Sequence, residues 1–352
     1  MRGGRRSRVP QPEGIPCSLT VLYPGNMDIW TDDAVNALLP DDAVWLERDF
    51  PDANMLLLGG ELPTVVDTGF VAHADATVAL AAEHLPRVTQ VANTHWHSDH
   101  VGGNARLQRA GAEILGSRGD ADALTRADPD CCVAEYLDQP VPRYTVDRCV
   151  GDGDRVLLGD SEWTVLEVPG HTAGHLAYWN PEDRVLVAGD TFSSYDIGWV
   201  NVMLDGPGML DTAAASLTRL QEYDARIILP GHGPAVTDPE TATAAAVRRI
   251  GKQRENLGMA VNYGAKRILS FALMLRGGMR VGDLDDYLMR RRWVRDAAAL
   301  LDQSAGSFVR ELVDPMIAGG ALTVSAGTVR ASTPAAPVDS AVFGLPWPRE
   351  WS

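Results

Sequence analysis

Four potential metal ligands fall within six residues, His95-Trp96-His97-Ser98-Asp99-His100, in a chain with eight histidines in all. Imidazoles two positions apart on extended backbone point to one side, so His95 and His97 can share an ion. Asp99 and His100 follow where the chain turns. They can face a second ion beside the first, an arrangement that activates water held between two metals. Such a cluster needs rigid support, and Thr89–Thr94 reads as a strand that delivers His95 at its end. The fold must therefore bring strand ends to a common edge.

The surrounding sequence supplies such strands. Met55–Leu58 and Thr64–Val66 read as strands and Val71–Leu85 as a helix. Val101–Ala110, with Gly102, Gly103 and Asn104, suits a loop feeding a helix. Arg155–Leu158 and Trp163–Val168 flank the turn residues Gly159 and Asp160. Leu176–Trp179 and Arg184–Val187 flank Asn180 to Asp183, so two successive hairpins are expected. A helix over Thr212–Tyr223 precedes a strand at Arg226–Leu229, which ends in Pro230, Gly231 and His232. His171, Asp190 and His232 thus also lie just past strands, where loops carry ligands on a fixed frame.

These segments together are similar to the metallo-β-lactamase superfamily. His95 to His100 resembles its H-x-H-x-D-H signature, and the remaining elements occur in family order: Val66-Asp67-Thr68-Gly69, Pro169-Gly170-His171, Ala188-Gly189-Asp190-Thr191 and Pro230-Gly231-His232-Gly233. The resemblance spans residues 55 to 236 and implies an α/β fold, the four-layer αββα sandwich. It implies that His95, His97 and His171 hold one metal, that Asp99, His100 and His232 hold the other, and that Asp190 bridges both. Asp67 would accept a hydrogen bond from a ligand imidazole and so fix its orientation. Trp96 and Ser98 occupy variable positions. His73 and His84 fall on the helix and read as ordinary structural residues, while His175 either supports a ligand or packs in the core.

The nitrogen and oxygen ligands suit two Zn2+ per chain and tolerate iron or manganese. The chemistry expected is hydrolysis by a metal-bridging hydroxide, with one metal stabilising the developing oxyanion and Asp99 orienting the nucleophile or moving its proton. Tyr195 is a candidate for polarising a substrate oxygen. Asp190 stands where several true β-lactamases place a cysteine, and His97 where flavodiiron-type relatives place a carboxylate, so both groups are disfavoured. A thioester, ester or lactone hydrolase comes first. A phosphodiesterase or nuclease is second, and an iron-dependent persulfide dioxygenase or a ligand-sequestering metal protein third.

Beyond Pro239 the strand signal fades. Thr241–Asn256 reads as a helix carrying Arg248, Arg249, Lys252 and Arg254, further helices follow, and Val313–Arg330 resembles a glycine-bearing wing. This part is similar to the winged-helix-like extension of a subgroup that includes acyl-ester hydrolases and an RNA-cleaving relative. Its basic helix is a clamp for the phosphate of a CoA or carrier-protein arm, a clamp for an RNA backbone, or a solvated face. The expected division is a disordered basic tail (1–16), a catalytic domain (17–239), a helical, winged-helix-like domain (240–331) and a tail (332–352). Residues 116–150 and 191–209 are expected to line the pocket mouth. The net charge of −16 argues against extended nucleic-acid or anionic-membrane contacts and favours a small-molecule or carrier-bound acyl substrate. Cys17, Cys131, Cys132 and Cys149 have no C-x-x-C spacing and read as free thiols. With no spanning segment in the sequence, a soluble cytoplasmic protein is the expectation, and a homodimer through the helices is compatible with it.

Overall fold

The computed structural model describes residues 20–22 and 28–351. The basic segment 1–16 and Cys17 lie outside these residues. Eight strands form the first sheet in sequence order: β1 (Thr20–Leu22), β2 (Asp28–Trp30), β3 (Ala43–Arg48), β4 (Met55–Leu58), β5 (Thr64–Val66), β6 (Gln90–Ala92), β7 (Glu113–Ser117) and β8 (Arg148–Val150). Its first five strands pair antiparallel, and the pairs from β5 to β8 are parallel. The second sheet has the order β13-β12-β11-β10-β9, from β9 (Arg155–Leu158), β10 (Ser161–Glu167), β11 (Leu176–Asn180), β12 (Val185–Gly189) and β13 (Ile227–Pro230). β9 with β10 and β11 with β12 are the two expected hairpins.

Strand alternation builds the layers. In β4, Leu56 and Leu58 face the second sheet and meet Trp163, Val165, Tyr178 and Leu229 in one core cluster. Met55 and Leu57 face the other way, onto Leu80 and Ala81. All four are buried, which explains a run with no polar alternation: both faces of the sheet are covered. The covering helices on this side are α2 (Ala74–His84), α3 (Ser98–Val101), α4 (Asn104–Arg109) and α5 (Arg118–Arg126), while Val35 of α1 (Asp33–Asn36) joins the core between the sheets and Tyr136 and Leu137 of α6 (Ala134–Leu137) join the core of the second sheet. The outer face of the second sheet, through Leu166, Ala177, Leu186 and Ile228, packs on α7 (Met209–Leu220), α8 (Pro239–Glu255) and α9 (Leu257–Leu275). The result is the αββα sandwich.

Two caps set the frame of the C-terminal helices. Asp238 accepts a hydrogen bond from the Thr241 amide with Pro239 at the first turn, and Asn256 accepts one from Met259 at 3.0 Å, so a single break separates α8 from α9. After α9 come β14 (Met279–Arg280), α10 (Val281–Met289), α11 (Arg292–Leu300), α12 (Ala305–Ala318), β15 (Leu322–Ser325) and β16 (Thr328–Ala331). The two last strands form a hairpin beside β14, which gives the helical region its wing.

Two expectations change. Residues 116–150 are not chiefly pocket loop. They hold α5, α6 and β8, and only Leu137 and Gln139 reach the pocket. The segment after 331 is packed on the fold: Ala335 bridges to Phe50, and Trp347 and Trp351 pack against the core cluster that holds Leu107, Ile114 and Tyr144. His73 has a structural role, in a buried ion network with Asp52. Among the described residues no helix is long and apolar enough to cross a membrane.

Candidate metal centre

The backbone around each ligand explains why the site forms. β6 ends at Ala92, and His97 precedes the single turn of α3, which carries Asp99 and His100. His171 follows β10, Asp190 follows β12, and Gly231 and His232 follow β13. β12 and β13 are parallel neighbours, so their C-terminal ends put Asp190 and His232 side by side. A Cβ on Gly231 would lie 2.1 Å from Asp190 Oδ1 and 2.7 Å from His100 Cε1, so the chain passes close under the site only because this residue is glycine.

All seven candidate ligands converge. His95, His97 and His171 form one group and Asp99, His100 and His232 a second, with ligand atoms inside each group within 4.8 Å of one another. The Asp190 carboxylate lies between them, with Oδ1 3.4 Å from His100 Nε2 and Oδ2 3.5 Å from His171 Nε2 and 3.8 Å from His232 Nε2.

Supporting hydrogen bonds aim the rings. Asp67, in the left-handed region at φ 59°, accepts from the Thr94 amide at 2.9 Å, from Thr94 Oγ1 at 2.7 Å and from His100 Nδ1 at 2.7 Å. His100 therefore presents Nε2 to the centre. His171 Nδ1 donates to the Trp199 carbonyl at 2.7 Å, with the same effect on its Nε2. His175 takes both roles open to it in the sequence: its Nε2 accepts from the Asp190 amide at 3.1 Å, and its ring stacks under His95 at 4.7 Å.

The donor set fits a divalent cation. Nε2 of His95, His100 and His171 are buried with no hydrogen-bond partner, a cost that proteins seldom carry unless something occupies the site. Burial, reinforced by neighbouring imidazoles, pushes His95 and His97 well below the ordinary histidine range, and burial also lowers His171. These rings are thus neutral, the form that binds metal. Burial would also lower His100 and His232, but nearby carboxylates outweigh it and raise both: Asp67, Asp190 and Asp99 for His100, Asp190 and Asp99 for His232. Burial would raise Asp190, yet His232 and His100 hold it well below the usual carboxylate range.

A cavity of about 540 Å³ opens onto His97, Asp99, His171, Asp190 and His232. Of the segment 191–209 expected there, Phe192, Ser193 and the stretch from Tyr195 to Trp199 form one wall, and residues 200–209 do not reach it. Another wall is α9, which contributes Tyr263, Lys266, Arg267, Phe271 and Met274. Arg248, Arg249 and Lys252 of the basic run on α8 do not line it.

Sequence reasoning missed two aromatic supports. Phe50 stacks on His232 at 4.6 Å and 15°, and Trp199 lies parallel to His97 at 5.9 Å and 5°. Neither belongs to a motif, and only the fold brings them to the histidines.

Comparison with known proteins agrees with this geometry. The profile of the Metallo-beta-lactamase superfamily matches residues 48–232. Hydroxyacylglutathione hydrolase of Rhodospirillum rubrum is 40% identical over 137 residues, covering 37% of this chain and 46% of that protein. The protein of the same name from Hyphomonas neptunium is 36% identical over 129 residues, 36% of this chain and 43% of its own length. The chain thus spans a little under half the length of these relatives. The crystal structure of a metallo-beta-lactamase family protein from Thermus thermophilus superposes with a TM-score of 0.52 at 20% identity, covering 83% of this chain and 99% of that one, a likeness of fold. With more than half its residues inside the family match and all five motifs at one site, this chain belongs to the metallo-beta-lactamase superfamily.

Proposed function

We propose that the chain is a dinuclear metal-dependent hydrolase of acyl thioesters or esters. The observation that carries this reading is the pair of ligand groups sharing the Asp190 carboxylate at the base of the cavity. The relatives named hydroxyacylglutathione hydrolase support the thioester class. His95, His97 and His171 would hold one ion, Asp99, His100 and His232 the other, and Asp190 both. Two zinc ions there would supply a Lewis acid and a water acidified towards neutral pH.

The chain's own residues then do three things. Asp67, Trp199 and Thr94 keep the imidazoles aimed, so no reorganisation accompanies the reaction. Asp99 lines the cavity with Oδ2 3.1 Å from His232 Nε2, so its carboxylate stands at the centre where it can hold or pass on the water's proton. Tyr195 stands on the cavity wall near Arg267, within reach of a substrate oxygen. Water oxygen bonds to the acyl carbon, the carbon–sulfur or carbon–oxygen bond breaks, one proton goes to the leaving group and the other is released with the carboxylate product. A soluble cytoplasmic setting belongs to the same proposal.

Zinc-loaded protein is expected to contain two ions per chain by elemental analysis and to hydrolyse lactoylglutathione or simple acyl thioesters. Asp99→Asn should lower kcat about 100-fold or more. At most one ion per chain after zinc loading would exclude the dinuclear site. Cleavage of bis(p-nitrophenyl) phosphate or RNA with no turnover of any acyl substrate would exclude the acyl-hydrolase reading.

A further inference from the structure

The cavity has a polar end and an apolar end, and helix α9 sets both. Tyr263, Arg267, Phe271 and Met274 follow at i, i+4, i+8 and i+11, one face of the helix over about 16 Å. The first turn of that stripe is polar. Arg267 is committed there, paired with Asp196 and hydrogen-bonded to the Tyr263 hydroxyl. Lys266 beside it lines the cavity and makes no hydrogen bond or ion pair among the described residues. The last turns are apolar, where Phe271 meets Phe50 edge to face at 6.3 Å, and Met274 and Met316 line the same end. Phe50 in turn stacks on His232. The aromatic contact Phe271–Phe50–His232 thus joins the apolar end to the metal ligands, while the cationic end lies by Tyr195 on the 192–199 wall.

We propose that the site takes acyl thioesters or esters whose acyl group is an extended apolar chain or ring and whose leaving group carries an anion met by Lys266. The inference rests on the acyl-hydrolase reading above and narrows its substrate class. A tripeptide thioester with a short hydroxyacyl group would leave the Phe50, Phe271, Met274 and Met316 end exposed to water. An apolar acyl group would remove that surface from water, and a single anion would match Lys266, the cation of the described cavity lining that Asp196 does not already pair.

Binding can be read without turnover. Titration calorimetry of the full-length, zinc-loaded protein with S-alkyl-3-mercaptopropionates, from methyl to octyl, is expected to show affinity rising about fourfold per methylene until the apolar end is full. Phe271→Ala and Met274→Ala should flatten that rise. Ser270→Trp, which fills the same cavity instead of emptying it, should move the plateau to shorter chains. Lys266→Gln should weaken the carboxylate probes several-fold and leave the matching uncharged S-alkyl mercaptoethanols unchanged. Affinity independent of chain length would overturn the apolar assignment, and an equal effect of Lys266→Gln on both probe series would overturn the anionic one. Acyl thioesters hydrolysed at one rate whatever their chain length would also overturn the inference while leaving the hydrolase reading intact. Chain-length-dependent binding with no hydrolysis would do the reverse.

Discussion

Asp67 touches no substrate, yet much of the centre depends on it. It accepts three hydrogen bonds, from the Thr94 amide, the Thr94 hydroxyl and His100 Nδ1, and is buried where an unpaired donor is costly. In Asp67→Asn the amide replaces one acceptor oxygen by a donor, so one of the three must be lost. His100 is the partner free to rotate. The expected result is a metal affinity lower by about 10- to 100-fold, read by competition with a chromophoric chelator, with zinc stoichiometry falling before the fold is affected. Unchanged affinity would mean that Asp67 does not orient His100. Gly231→Ala makes a complementary prediction: the new methyl would sit 2.1 Å from Asp190 Oδ1, and no strained φ is involved. Ion content should therefore fall by at least one per chain, while the melting temperature of the metal-free protein changes little. If both ions were retained at full affinity, the close approach would have no role in placing the carboxylate. The seven candidate ligands are legible in sequence because each sits in a short motif whose spacing is set by local backbone. Phe50 and Trp199 are not, since a stacking partner carries no local signature.

At the scale of elements, Met55–Leu58 can be read directly because burial on both faces leaves a short uninterrupted apolar run, and Arg155–Leu158 because an exposed Arg155 gives way to alternately buried Val156 and Leu158. The parallel strand Glu113–Ser117 and the helix Arg118–Arg126 hide inside a stretch with glycines and charges, and are fixed by pairing and packing instead. The C-terminal segment is similarly silent until its partners are known. His73 donates from Nδ1 to Asp52 Oδ2 at 2.5 Å and from Nε2 to the Pro337 carbonyl at 2.8 Å. With acceptors on both nitrogens, the ring must carry both protons. Burial would lower its pKa, but the hydrogen bond and charge of Asp52 outweigh burial and the opposing Arg48, and raise it. Asp52 is held below the carboxylate range by Arg48 and His73 against its own burial. The signs follow: the raised His73 contributes stability present below about 6.5 and lost as pH climbs through its folded value, while the lowered Asp52 contributes stability present above about 3.8 and lost on further acidification. The melting-temperature deficit of His73→Gln relative to the parent should be largest near pH 5 to 6 and shrink as pH rises. A deficit constant from pH 5.5 to 9.5 would show that the imidazolium is not what holds the C-terminal segment in place.

Across the whole molecule, the boundary suggested by sequence at residue 239 is not a boundary in the core. One hydrophobic cluster joins Leu166, Ala177, Leu186 and Ile228 of the second sheet to Ile197, Val200 and Met203 of the cavity loop, and both to Ile250, Val261, Ile268 and Leu269 of α8 and α9. The same cluster continues to Leu312 and Val329 near the wing. The region beyond 239 is legible as helical from its composition and periodicity, but a sequence does not show which apolar faces of two segments meet. In this structure they meet along the outer face of the sheet that carries Asp190 and His232. Removing α8 and α9 would bare that face to water, and would also strip Phe271 from Phe50 and hence from His232. A fragment ending at Thr237, just before the cap of α8, is therefore expected to keep strand signal in the far-ultraviolet but to bind a hydrophobic dye and lose its sharp thermal transition. Its zinc affinity should fall together with its cooperativity, because the loop ends are held by the sheet and the sheet by the helices. A fragment that melted cooperatively and still held zinc like the full chain would show the opposite, a catalytic unit to which the helical region is merely attached.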